Sequence, residues 1–196
     1  MDDTVPFASN VYWLMLALLA FARAMDFIST WVATPELVLE GNPIAKKLGW
    51  RRGILLNIVI CLGVAFWPAS AVAVSTTSVL VAARNFQSAW LMRLMGEEAY
   101  RDWYVARIQE ANLAVYLVCL AGNSLLHVGI GVALIWFGGY NWIAAAIGLG
   151  MVVYAIAVVV YTSLAAWRIR RHVRKPHLTV VNPAISSKME HDVSLN

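Results

Sequence analysis

Long apolar runs, separated by short polar stretches that hold most of the charge, restrict this chain more than any other feature. A helix rises ~1.5 Å per residue, so about 20 apolar residues match a ~30 Å hydrocarbon core. The runs 11–33, 111–137 and 142–167 all reach that length. Composition agrees: 13% of residues are charged and 61% hydrophobic, where a soluble domain carries about 25% charged residues. The sequence predicts an all-α fold, a polytopic membrane helix bundle forming one domain over 1–175. The polar, aperiodic tail 176–196 is predicted to be disordered.

The apolar stretch 53–83 reads as part of two spans, 53–67 and 69–90, turning at Phe66-Trp67-Pro68-Ala69-Ser70. Pro68 breaks or kinks a helix, and Trp67 suits a membrane interface. Charge gives the third reason. Arg51 and Arg52 precede the stretch, and Arg84, Arg93, Arg101 and Arg107 follow it. Two spans put all six on one side. Between 96 and 110, Tyr100, Trp103, Tyr104 and Ile108 recur at helical spacing, and Glu97 stands four residues before Arg101. That segment predicts an amphipathic helix on the cytoplasmic face, with Glu97–Arg101 as a supporting pair.

About five spans result, with the N-terminus outside and the C-terminus cytoplasmic. The basic cluster Arg168, Arg170, Arg171, Arg174 and Lys175 is the strongest orientation signal. Tryptophans mark two levels: Trp13, Trp67, Trp136 and Trp142 outside, Trp31, Trp50, Trp90 and Trp167 inside. The acidic start, Met1-Asp2-Asp3-Thr4, lacks the positive n-region of a signal peptide, so the first run is expected to be retained. A prokaryotic cytoplasmic membrane is the expected location.

Polar residues at membrane depth are costly unless paired or wetted, which makes them the functional candidates. Arg23, Asp26 and Thr30 fall within a ~60° arc at ~100° per residue. Asn57 and Cys61 share a face, as do Ser75, Ser78 and Asn85. The longest stripe is Asn112, Tyr116, Cys119, Asn123 and His127; Gly150, Tyr154 and Tyr161 align in the last run. Turned inward, these stripes give a partly polar interior. By depth, Thr30, Asn57, Asn85 and Tyr116 are the expected neighbours of Asp26. His127 lies on the order of 16 Å from Asp26 in depth, too far for a shared metal with ~2 Å ligand bonds. In Glu40-Gly41-Asn42-Pro43, Asn42 suits a helix cap with Pro43 at the first helical position. Glu40 and Asn42 also offer oxygens of the kind that bind hard cations or protons. The ligand or ion candidates are therefore Arg23, Asp26, Thr30, Glu40, Asn42, Asn57, Asn85 and Tyr116.

Asp26-Phe27-Ile28-Ser29-Thr30 followed by Glu40-Gly41-Asn42-Pro43 resembles a family of small uncharacterised prokaryotic membrane proteins, a domain of unknown function. Its shared pattern is Asp, Ser/Thr-Thr one turn on, then Glu-x-Asn-Pro in the next loop. The resemblance covers the first half of the chain and implies the same choice of residues, without an activity.

Signatures of catalysis are missing: there is no Gly-x-Ser-x-Gly and no His-Glu-x-x-His. Gly129-x-Gly131 and Gly148-x-Gly150 lie inside apolar helices and suit close packing. No lysine stands in a span for a retinal Schiff base, and no Cys-x-x-Cys-His attaches haem. Neither cofactor nor metal is expected. Cys61 and Cys119 read as buried free thiols. Three readings follow. The first is a non-catalytic subunit or scaffold. The second is a small transporter or ion- or proton-binding protein using Asp26. The third is a membrane-embedded enzyme with Asp26 and Glu40 as acid and base. Expected partners are the bilayer, anionic lipids at the basic segments, and a second copy or another membrane protein. Nucleic acid is not among them.

Overall fold

A computed structural model describes residues 4–39 and 43–173. Glu40, Asn42 and the tail 176–196 lie outside the described residues. Within them the chain is all helical, with no strand. Each helix starts where a local signal places it. Helix α1, Asn10–Ala33, begins after Ser9, whose hydroxyl accepts from the Tyr12 N–H at 3.2 Å. Helix α2, Pro43–Val64, is interrupted at Gly49, whose φ of 67° suits glycine alone. Helix α3, Pro68–Met95, has its proline in the first turn, where the missing N–H costs nothing. The chain thus breaks between Val64 and Pro68, at the Trp67-Pro68 signal.

Gly96, at φ 80°, turns the chain into α4, Glu97–Glu110. Helix α5, Leu113–Phe137, is capped by Asn112. Helix α6, Trp142–Val173, is capped by the Asn141 side chain, which accepts from the Ile143 and Ala144 N–H groups. It continues past 167, so Arg168, Arg170 and Arg171 ride on the helix instead of following it. Arg170 donates to the carbonyls of Ile108 and Ala111 at 2.9 and 2.7 Å, closing the C-terminus of α4.

Among the described residues, three helices are long and apolar enough to cross a membrane: α1, α5 and the Trp142–Arg171 part of α6. The break at Gly49 leaves α2 only Trp50–Val64 as a continuous rod, about 22 Å at the usual rise, and that rod starts with Arg51 and Arg52. Helix α3 dilutes its hydropathy with serines, threonines, Asn85 and Arg84.

Contacts fix the directions. Arg23 meets Ser78 and Thr30 meets Asn85, so α1 and α3 run parallel. Gly150 lies on Ala73 and Thr76, and Thr162 accepts from Arg84, so α6 runs with them. Tyr12 reaches the Leu62 carbonyl and Phe27 packs near Trp50, so α2 runs against α1. Helix α5 runs against α6 and, among the described residues, does not pack on α1, α2 or α3. Trp13, Trp67, Trp136 and Trp142 therefore share one end of the bundle, and Trp31, Trp50, Trp90 and Trp167 the other.

The end of the bundle at the 65–67 turn holds an apolar core of Tyr12, Met15, Leu19, Cys61, Ala65, Ala71, Val72 and Ala146. Glycines seat α6 between its neighbours. A Cβ on Gly131 would come 2.7 Å from the Gly148 carbonyl oxygen, and one on Gly150 would meet that of Ala73 at 2.5 Å. Gly129 faces open space and takes no part. The outer surface is apolar, with Leu55, Val59, Val118, Leu125 and Leu126 all exposed.

Candidate functional site

Arg23 gathers three helices. Its Nε donates to Asn57 Oδ1 on α2 at 2.7 Å. Its Nη1 donates to Asp26 Oδ2, one turn along α1, at 2.9 Å, and to Ser78 Oγ on α3 at 3.1 Å. The guanidinium also lies 5.9 Å from the centre of the Phe27 ring. Asn57 is oriented by its own donation to the Gly53 carbonyl at 2.8 Å. Both charged side chains are largely covered, at 28% and 18% exposure for Arg23 and Asp26.

One turn further along α1, Asn85 Nδ2 donates to Ser29 Oγ at 3.3 Å and Thr30 Oγ1 at 3.2 Å. Ser29 in turn donates to the Asp26 carbonyl at 2.8 Å. The seam continues to Thr34, whose hydroxyl donates to the Glu97 carboxylate on α4. Glu97 also accepts from the Glu36 N–H at 2.9 Å and the Val38 N–H at 3.1 Å. Positions 23, 26, 30 and 34 share a face of α1, so this seam covers about 16 Å of its length.

Five of the eight candidates thus meet in the seam: Arg23, Asp26, Thr30, Asn57 and Asn85. Tyr116 does not join them. It stands on α5, beside Tyr104 of α4, because α5 packs along α6 and not against α1, α2 or α3. For the same reason the α5 stripe is not turned inward: Asn112, Cys119 and Asn123 are exposed. Cys119 is therefore an exposed thiol, and Cys61 a buried one. His127 Nδ1 donates to the Asn123 carbonyl at 2.8 Å and the ring packs on Tyr154. Tyr161 is exposed while Gly150 and Tyr154 are buried.

Glu97 was read from its spacing as a partner of Arg101. Arg101 instead pairs with Asp102 at 3.1 Å, and the Glu97 carboxylate holds the segment after α1. Burial raises its pKa, but the bonds from Thr34, Glu36 and Val38 and the charge of Arg93 outweigh that and leave it lowered. A lowered pKa adds stability above the unfolded value of about 4.3 and loses it as pH falls through the folded value. Wild type should therefore lose stability on acidification below about pH 4.3, and Glu97→Gln should respond less in that window. Equal pH profiles in thermal melts would refute this. In α4, burial and the neighbouring Tyr116 push the Tyr104 hydroxyl up to about 12, so it stays protonated near neutrality.

Chemically, the seam is a chain of satisfied donors and acceptors. Thr34 lies two turns from Asp26, about 12 Å along the axis, so Asp26 and Glu97 do not form a close carboxylate pair. Among the described residues no group of three His, Cys, Asp or Glu side chains is arranged to hold a metal. Comparisons with protein-family models, curated proteins and solved structures found no match.

Proposed function

We propose that the chain is a five-span, non-catalytic membrane subunit or scaffold, in which Arg23 locks α1, α2 and α3 together. The observation that supports this is the donation of its Nε to Asn57 and of its Nη1 to Asp26 and Ser78, on three helices. Three apolar spans and an apolar exterior require a bilayer around the bundle. In this reading α2 and α3 cross as a polar-faced hairpin shielded by α1. Basic residues at the α4 end orient that end to the cytoplasm, by the positive-inside rule, with the N-terminus outside. The motif of the uncharacterised prokaryotic family fits the same choice of residues, and a prokaryotic cytoplasmic membrane is the proposed location.

Thermal melts of purified protein, titrated with protons, sodium, potassium and magnesium, test the reading. A scaffold gives melting temperatures insensitive to each cation at constant ionic strength. A shift that disappears in Asp26→Asn would transfer the assignment to ion or proton binding. For topology, Ser70→Cys should be labelled by an impermeant thiol reagent from the outside. Cysteine-free controls are needed because Cys119 is exposed. Labelling only from the cytoplasm would overturn the five-span arrangement.

A further inference from the structure

Between α1 and α2, at the level of the lower tryptophans, lies an open apolar groove of about 340 Å³ lined by Phe27, Ile28, Trp31, Trp50 and Ile54. Its volume falls at the lower end of the ~300–1,000 Å³ typical of ligand sites. The groove runs along the helices. Phe27 to Trp31 and Ile54 to Trp50 are each one turn, about 6 Å, from deeper apolar residues to interfacial indoles. Three exposed arginines belong to this end. Arg93 lies 5.7 Å over the Trp31 ring. Arg51 and Arg52 directly follow Trp50, in the first turn after the Gly49 break; at ~100° per residue Arg51 flanks the Trp50–Ile54 face and Arg52 lies on the far face of α2. None of the three makes an ion pair within the described residues.

We propose that this groove binds one anionic glycerophospholipid, an acyl chain against Phe27 and Ile54 and the headgroup phosphate at Arg93 and Arg51. The inference rests on the membrane reading above and deepens it from general attraction to one site. Charge selects the occupant. A neutral lipid offers no anion to the guanidinium groups at the mouth. A second copy docked symmetrically would bring its own arginines against them. Glu97, whose carboxylate feels the charge of Arg93, and Glu36, exposed on the segment after α1, offset part of this charge, and the three arginines still outnumber them.

The test uses the full chain in mild detergent, with bound molecules counted by native mass spectrometry. The probes are dioleoylphosphatidylglycerol, dioleoylphosphatidylcholine and, as a headgroup without chains, glycerol phosphate. Wild type should retain phosphatidylglycerol in preference to phosphatidylcholine and should not retain glycerol phosphate. Arg51→Gln and Arg93→Gln should each weaken retention by roughly fivefold, since a juxtamembrane basic residue contributes about that factor, while Arg52→Gln, on the far face of α2, is the control. Ile54→Trp, which fills the groove, should abolish retention while the circular dichroism stays helical. Should that variant misfold, the exposed arginine substitutions still decide. Equal retention of the two lipids, equal retention of glycerol phosphate, or no loss in the Arg51→Gln and Arg93→Gln variants would each overturn the site. Carbonate washing of membranes separates the two levels. Protein that resists the wash yet lacks lipid preference sinks the groove alone, whereas protein released by the wash sinks the membrane reading itself.

Discussion

Replacing Arg23 by leucine should cost about 3–5 kcal/mol, the usual loss when one partner of a buried ion pair is removed. The substitution strips Asp26 of its guanidinium and leaves Asn57 Oδ1 and Ser78 Oγ without their donor. Three helices then face one another across polar atoms that lipid cannot satisfy. The double substitution Arg23→Leu with Asp26→Leu should recover much of that loss, because it removes both charges at once. Chemical unfolding in lipid–detergent micelles, followed by tryptophan fluorescence, reads both values. A single variant within about 0.5 kcal/mol of wild type, the range of ordinary surface changes, would show that the pair does not hold the helices.

The second large effect belongs to Gly148. A Cβ there runs into the Gly131 carbonyl oxygen and comes 2.9 Å from Ile135 Cγ1 and 3.1 Å from Leu134 Cβ. Backbone gives way less easily than a side chain, so Gly148→Leu should cost at least about 3 kcal/mol, the upper part of the overpacking range. Among the described residues helix α5 does not pack on α1, α2 or α3, so it should detach, and limited proteolysis should cut near the Gly138-Gly139 turn. Gly129→Leu, on the facing helix α5, is the internal control, since nothing lies within 4 Å of its added carbon. Equal losses in the two variants would sink the explanation.

What the sequence disclosed, and what it withheld, divides along the reach of each signal. Local chemistry was readable. Pro68 marks the break before α3, and the arc of Arg23, Asp26 and Thr30 does face α2 and α3, whereas Asn112, read as part of an inward stripe, caps α5 instead. Pairings between distant elements were not. Thr34 and Glu97 lie 63 residues apart, and nothing near either position announces the bond. The regular spacing of Glu97 and Arg101 pointed instead to a pair that Asp102 displaces. Depth placed Tyr116 level with Asp26, but depth says nothing about azimuth, and the Gly131–Gly148 contact swings α5 away from α1. Gly49 was one more residue in an apolar-basic stretch, yet its left-handed backbone cuts short the rod available to α2.

That shortened rod bears on how the protein would be made. Helices α1, α5 and α6 carry enough apolar length to partition into lipid one at a time, as independent stages of insertion. The α2–α3 pair does not meet that standard, and its Asn57 and Ser78 become satisfied only against Arg23 of α1. In a five-span protein the hairpin would have to enter as a unit beside an α1 still held at the insertion site. Arg23 would then act first as an assembly cue. Its loss should show during synthesis, as nascent chains whose second hairpin stays outside the bilayer, before any purified protein exists to be melted.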